Sequence, residues 1–429
     1  MTKRALLLGG TGAMGIHLAP ALAEAGFTVD VTTRTSRSSK MAGINFITGN
    51  AQDDQFVTRL LRLHRYHVLI DFMLYGTDDF TQRLPTLLAG TEQYFLVSSY
   101  RVFADAPILT ENSPRLLDVV RDPIYLKTDE YALAKARQED VLRASDASNW
   151  TIVRPGITYS TGRFQLGTLE ANMVVWRSRR QVPVAIPKLM LEKQTTLTWA
   201  GDVAKLLTRL AGNPKAFGED FNVVTAEHHS WRYIAGIYHE VLGTEVCEVE
   251  TEDYIKALGE GLNNYQVHYD RMFDRVLDNR KVLGVTGFSQ SDFTSLRAGL
   301  IAELHRFLEK PSPLIIDFSR QARFDALTQS FIGFKNLRLY DIFVYLVHRL
   351  PGAARAVALV KRALQKLRSG AANGRRRRVE RVLPLGRMVT WGRSRRGGIQ
   401  RSAEGAGCAY GARSARRCDL GVGGDGLGR

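Results

Sequence analysis

The sequence predicts an α/β protein: a doubly wound parallel sheet with helices on both faces, followed by a smaller C-terminal α/β domain. Three observations predict it. Ala5–Leu8 is a short apolar run of the kind that forms a strand buried on both faces. Directly after it come Gly9-Gly10-Thr11-Gly12-Ala13-Met14-Gly15 and a helical pattern from about Ala13 to Ala25, stopped by Gly26. Apolar strand and amphipathic helix then alternate to about residue 155, the pattern of parallel strands joined by crossover helices.

The opening unit is the most informative. Strand, glycine turn, helix and a second strand at Thr28–Thr33 make one βαβ unit of about thirty residues, the Rossmann-type context that turns a glycine motif into a phosphate site. Gly9, Gly12 and Gly15 are spaced G-x-x-G-x-x-G, with Gly10 as an extra. Such glycines let the backbone turn tightly and approach a pyrophosphate at the positive end of the helix. Residues Gly9 to Gly15, with Thr11, Ala13 and Met14, are therefore assigned to a dinucleotide; a glycine turn without a ligand is the alternative. Pro20 breaks a local rule, since inside a helix it removes a backbone hydrogen bond.

The remaining elements follow in order. Ile44–Thr48 reads as a third strand, Asp53–His64 as a helix and His67–Asp71 as a fourth strand. Asp78–Ala89 is a helix closed by Gly90, Tyr94–Ser99 a fifth strand, Tyr125–Ala144 one long helix and Trp150–Arg154 a sixth strand. This places a nucleotide-binding domain at 1–155 and a substrate-binding region at 156–312. In the latter, Asn172–Arg180 and Ser230–Leu242 read as helices, Thr196–Trp199 and Phe221–Thr225 as strands, and Asp202 as a helix cap. Asn279–Leu283 and Phe293–Leu308 close the region before Pro311 and Pro313. A helical extension, 313–370, contains amphipathic stretches at Tyr340–Leu350 and Ala353–Leu367. The second is basic; docking on the protein's own core is favoured over membrane-surface contact by 340–368.

The net charge of +16 has to be divided before it is interpreted. Residues 371–429 hold fourteen Arg, no Lys and four acids, a net of +10, which leaves +6 for the rest. That tail lacks helical or strand periodicity and reads as disordered. It suits an arginine-rich nucleic-acid arm or an anchor to an acidic surface. Arg without Lys, beside Gly and Ala, is also what a GC-rich stretch gives in a wrong reading frame, and this reading is preferred. No specific nucleic-acid partner is therefore predicted. Three cysteines give no disulfide framework and no metal spacing, so no metal is expected and the compartment is read as reducing and cytoplasmic. No apolar run approaches the roughly eighteen residues of a membrane span, and the N-terminus does not read as a signal peptide.

In doubly wound sheets the ligand lies beyond the carboxyl ends of the strands. At the end of the second strand an acid would hold the ribose of NAD and an arginine the 2′-phosphate of NADP. The chain reads Thr33-Arg34-Thr35-Ser36-Arg37 there, and Asp30 falls mid-strand, so Arg34 favours NADP; a solvated basic loop is the alternative. The fifth strand ends in Ser98-Ser99, and the next helix carries Tyr131 and Lys135, four apart and hence on one face. Tyrosine, with an unperturbed pKa near 10, is a poor base at neutral pH, but a neighbouring Lys favours the phenolate and makes a general base for a hydroxyl proton. A serine hydroxyl can hold the same oxygen. The cluster Arg177, Arg179 and Arg180 could neutralise a substrate diphosphate or be a solvated face. The adjacent His228-His229 pair is not read as a metal site, because neighbours on a strand face opposite ways.

Taken together, Gly9–Gly15, the Ser98–Phe103 run, Tyr131/Lys135 and Arg154-Pro155-Gly156 resemble the extended short-chain dehydrogenase/reductase family, over about residues 1–310. Within it the chain is similar to NAD-dependent epimerase/dehydratases that act on nucleotide sugars. The resemblance implies a catalytic serine at Ser99, a base at Tyr131 and a ribose ligand at Lys135. It further implies a nicotinamide contact at Pro155 and an adenine contact at Asn50, where an aspartate is common. Tyr100 and Arg101 depart from the small residues usual after the serine. The expectation is an NAD(P)-dependent epimerase/dehydratase acting on a nucleotide-linked sugar, as a homodimer. An NADP-dependent carbonyl reductase is the alternative within enzymes. A non-catalytic dinucleotide sensor or RNA-binding relative is the alternative outside them, and would be expected to lack the Tyr/Lys pair.

Overall fold

The computed structural model describes residues 3–350 except 260 and 262, together with Gly352. The tail 371–429 and the basic stretch 353–367 lie outside the described residues.

Seven strands form one sheet: β1 (Lys3–Leu8), β2 (Phe27–Thr33), β3 (Ile44–Thr48), β4 (Tyr66–Asp71), β5 (Thr91–Val97), β6 (Trp150–Pro155) and β7 (Glu219–Val223). Their spatial order is β7-β6-β5-β4-β1-β2-β3, and every pairing is parallel. The direction of winding reverses beside β1, and there a crevice opens at the strand ends.

Alternation along the strands separates two apolar layers. Ala5, Leu7, Val29, Val31, Val68 and Ile70 pack on α1 (Gly15–Glu24) and later on α5 (Ala200–Leu210). Leu6, Leu8, Leu69, Tyr94 and Ile152 face α2 (Asp54–Leu63), α3 (Thr77–Ala89) and α4 (Tyr131–Arg143). β1 is therefore apolar at successive positions because both of its faces are covered.

Three expectations are corrected. The single helix over Tyr125–Ala144 is interrupted: a one-turn helix at Pro123–Leu126 ends, and α4 begins at Tyr131 behind its cap Glu130. Asp202 is not a cap, since α5 begins at Ala200; its carboxylate instead accepts the Thr294 amide at 2.7 Å and pairs with Lys205. The helix over Asn172–Arg180 shrinks to Val174–Ser178.

The second half of the chain builds a separate apolar core from α6 (Trp231–Leu242), α7 (Thr251–Leu258), α8 (Leu296–Glu309) and several short strands. Ile157–Tyr159 pairs with Leu197–Trp199 and Val184–Pro187 with Val246–Val249. The extension adds α9 (Phe318–Leu327) and α10 (Leu339–Arg349), which pack on each other. The buried Arg177–Asp325 ion pair, at 2.9 Å, ties α9 to this core.

Candidate active site

The glycine turn follows directly from β1. Gly9 takes φ +72°, and its amide donates to Thr32 Oγ1 at 2.8 Å, which fixes the turn against β2. A Cβ on Gly15 would lie 2.1 Å from the Gly10 carbonyl oxygen, so only glycine lets α1 start so close to the turn. At Gly12 a Cβ would meet nothing within 4 Å: the backbone there faces open space. α1 has no side-chain cap and no acid in its first turn. No carboxylate competes for an anion at this helix start, although the Ile16 and His17 amides donate to the Gly12 and Met14 carbonyls, and the positive end of the helix favours a phosphate beside Gly12.

The one acid of β2 is already engaged. Asp30, fully buried, accepts from Arg4 at 2.7 Å, Asn45 at 2.9 Å and Tyr66 at 2.9 Å, and so is not free to hold a ribose. Arg34 is exposed just past β2. Asn50 is exposed past β3, with Oδ1 accepting the Gln52 amide at 3.1 Å.

The two serines after β5 separate cleanly. Ser98 Oγ donates to Glu139 Oε1 at 2.6 Å inside the protein, where Glu139 also holds Arg154. Ser99 instead lines the cleft, its Oγ accepting the Arg101 amide at 3.2 Å. Across from it Tyr131 is the first residue of α4, half-buried, with the Arg101 guanidinium 5.3 Å from its ring centre. Glu130 fixes this start by accepting the Ala132 amide at 2.8 Å, Arg101 at 2.6 Å and the Tyr125 hydroxyl at 3.1 Å.

One turn on, Lys135 is buried and donates to Gln138 Oε1 at 3.2 Å. Burial lowers its pKa to about 8, although the charges of Asp71 and Glu139 oppose the shift. Burial likewise raises the Asp71 carboxyl to about 6, against the Met73 amide, Lys135, Tyr75 and Tyr94.

One cleft of about 510 Å³ collects these groups: Gly9, Gly12, Ala13, Met14 and Gly15 at one end, with Ser99, Tyr131, Lys135, Pro155 and Gly156 beyond them. Gly10 and Thr11 complete the turn without lining the cleft; Arg34 and Asn50 also lie off its wall. The other end is built by residues that the sequence did not single out, notably Arg163, Gln165, Arg271 and Arg320. Beneath them the buried Asp270 accepts from the Tyr100 hydroxyl at 3.1 Å and Arg275 Nε at 3.0 Å and pairs with Arg271 and Arg101. Against burial, which would raise it, Arg271, Arg275 and Arg101 hold the Asp270 carboxyl below its ordinary value.

The arginine cluster chosen from the sequence is not brought here. Arg177 is completely buried, bonded to Asp325, Gln321 and the Pro183 carbonyl. Arg180 lies on the Trp176 ring and donates to the carbonyls of Ile332 and Lys335, while Arg179 is exposed off the cleft. Arg177 and Arg180 secure the extension rather than a substrate. His229 stacks on Tyr233 and pairs with Glu227, and no metal-holding group of three or more His, Cys, Asp or Glu occurs among the described residues. Among the described residues no helix is long and apolar enough to cross a membrane.

Residues 9–182 match the model of the NAD(P)H-binding family. No curated protein matches the chain. Among solved structures it is similar to the epimerase Mth375 from Methanothermobacter thermautotrophicus, at 18% identity and TM-score 0.56, covering 72% of this chain and 93% of that one. It is also similar to the UDP-glucose 4-epimerase of Thermus thermophilus in complex with NAD, at 19% identity and TM-score 0.54, with 72% and 99% covered. A third is the dTDP-glucose 4,6-dehydratase from Bacillus anthracis str. Ames in complex with NAD, at 13% identity and TM-score 0.56, with 72% and 97% covered. The class that fold and site define is thus an NAD(P)-binding α/β protein. Its fold is shared with the epimerase and dehydratase structures just named.

Proposed function

We propose that the chain is an NAD(P)-dependent epimerase or dehydratase that acts on a nucleotide-linked sugar, with Tyr131 as its base. The observation that carries this reading is the union, in one cleft, of the glycine turn with Ser99, Tyr131 and Lys135. The residues fit a dinucleotide: Gly12 leaves space for a pyrophosphate against the uncapped start of α1, and Lys135, Pro155 and Gly156 line the way toward Tyr131. When bound, the nicotinamide supplies a hydride acceptor that can return what it takes. Tyr131 removes the proton from the sugar hydroxyl as the C–H bond is broken, and gives it back when the carbonyl is reduced. Ser99 Oγ holds that same oxygen, and Lys135, kept on the cleft wall by Gln138, holds the ribose.

Asp30 is consumed by Arg4, Asn45 and Tyr66, and Arg34 stands exposed at the tip of β2, which favours NADP over NAD. That observation supports a second reading, an NADP-dependent carbonyl reductase on the same site. Net oxidation of NADPH by a carbonyl substrate would select it; sugar conversion without net cofactor change would select the first.

The test is turnover of a panel of nucleotide sugars by the full chain, followed by chromatography of the products and absorbance of the cofactor. Tyr131→Phe is expected to lower turnover by about 10²–10⁴-fold while leaving NAD(P)H binding unchanged. Unchanged turnover in Tyr131→Phe would sink the proposed role.

A further inference from the structure

The far end of the cleft contains a feature that the hydride chemistry does not use. Six buried side-chain polar atoms have no hydrogen-bond partner among the described residues, and three of them are the Nε atoms of Arg101, Arg163 and Arg320. All three arginines line the one cleft. A buried N–H without an acceptor is costly; Arg101 Nε at least faces Asp270 Oδ2 at 3.4 Å, but Arg163 and Arg320, from distant parts of the chain, face one cavity with no such carboxylate, which calls for a shared acceptor.

Their surroundings differ. Arg101 already meets Glu130 and Asp270. Among the described residues the Arg320 guanidinium makes no hydrogen bond; its backbone amide donates to the capping carboxylate of Asp317 at 3.1 Å. Asp317 also feels the Arg320 charge, but its Oδ1 takes the Ser319 and Arg320 amides and the Ser319 hydroxyl. Glu170 is an acid on the cleft wall, and it takes Gln165 as its partner.

Arg320 belongs to α9, past the segment at 1–310 that carries the family resemblance. That helix is held firmly. Arg323 donates to the carbonyls of Ala257 at 2.8 Å and Leu258 at 3.3 Å, and Asp325 receives the buried Arg177. The extension therefore fixes Arg320 at the cleft.

We propose that α9 completes the substrate end of the cleft, and that Arg320 and Arg163 read a phosphoryl group of the substrate as specificity-determining residues. The proposal rests on the reading of the cleft given above and deepens it: the extension is part of the binding site. A guanidinium suits this task because its fixed fork of donors matches phosphoryl oxygens.

The experiment is calorimetric titration of inorganic pyrophosphate into the full chain saturated with NADPH, so that the glycine turn is filled first. Wild type is expected to bind. Arg320→Gln and Arg163→Gln are each expected to bind about tenfold or more weakly, with unchanged melting temperature and NADPH affinity. Arg320→Lys should recover part of the loss, and Arg297→Gln, which alters an exposed pair with Glu240, should match wild type. Absence of pyrophosphate binding in wild type, or equal binding in Arg320→Gln, overturns the proposal. If NADPH fails to bind, the reading of the cofactor end fails instead, while the dependence of pyrophosphate binding on Arg320 is still measured.

Discussion

The two ends of the cleft are made in different ways. The cofactor end is backbone: Gly9 turns at positive φ, Gly15 lets the helix begin against the Gly10 carbonyl, and Gly12 leaves open space beside the first turn of α1. The substrate end is side chain: Arg101, Arg163, Arg271 and Arg320 come from four separate segments, over a buried carboxylate at Asp270. A backbone site is compact in sequence, because adjacent residues make it. A side-chain site is dispersed, because tertiary packing must gather it. The first kind leaves a motif and the second leaves almost none.

The largest expected effect separates arginines that build from arginines that bind. Arg177 and Asp325 are both completely buried, so Arg177→Ala leaves an uncompensated carboxylate and should cost about 3–5 kcal/mol of stability, read from urea or thermal unfolding. Arg320→Gln should leave unfolding unchanged and alter binding. If Arg177→Ala weakened binding without loss of stability, the assignment of these two arginines would have to be exchanged.

That contrast also marks what was legible in the sequence. The central strands were legible because burial on both faces forces apolar runs such as Ala5–Leu8, although the fifth strand runs Thr91–Val97 and not Tyr94–Ser99; Ile44–Thr48 keeps its expected bounds as a partly buried strand at the sheet edge. Gly9, Gly12, Gly15, Ser99, Tyr131 and Lys135 were legible because each belongs to a short local motif, and the structure brings them to one cleft. Arg177 and Arg180 misled, since a run of arginines on a short helix looks alike whether it meets a phosphate or the α9 carboxylate of Asp325. Nothing local marks Arg163 or Arg320 as cleft residues. Of these arginines Arg101 carried a signal, standing with Tyr100 where the family pattern has small residues. The break before Tyr131 was missed because Tyr125–Ala144 contains no proline or glycine to announce it; Glu130 begins the new helix by accepting the Ala132 amide.

The smallest effect lies at the buried Asp71 and Lys135. The folded chain keeps a proton on Asp71 between 3.8 and about 6, where the unfolded chain has released it, so this group makes stability fall as pH rises through that window. Asp71→Asn should flatten that fall in melts collected from pH 4 to 7. Lys135 acts in the opposite sense at higher pH. Between about 8 and 10.5 the unfolded chain holds a proton that the folded chain has lost, so its contribution rises with pH. A slope below pH 7 that persists in Asp71→Asn would place the titrating group elsewhere.

The measurement that bears most directly on the account is fluorescence titration of NADPH and NADH into wild type and Gly12→Ala, with a melting curve for each. Nothing lies within 4 Å of the added methyl, so the variant should melt with wild type, yet the methyl enters the space that a pyrophosphate needs. The account predicts saturable binding by wild type, stronger for NADPH, and loss of binding in Gly12→Ala at the same stability. Equal binding by the two proteins, or none by wild type, would contradict it.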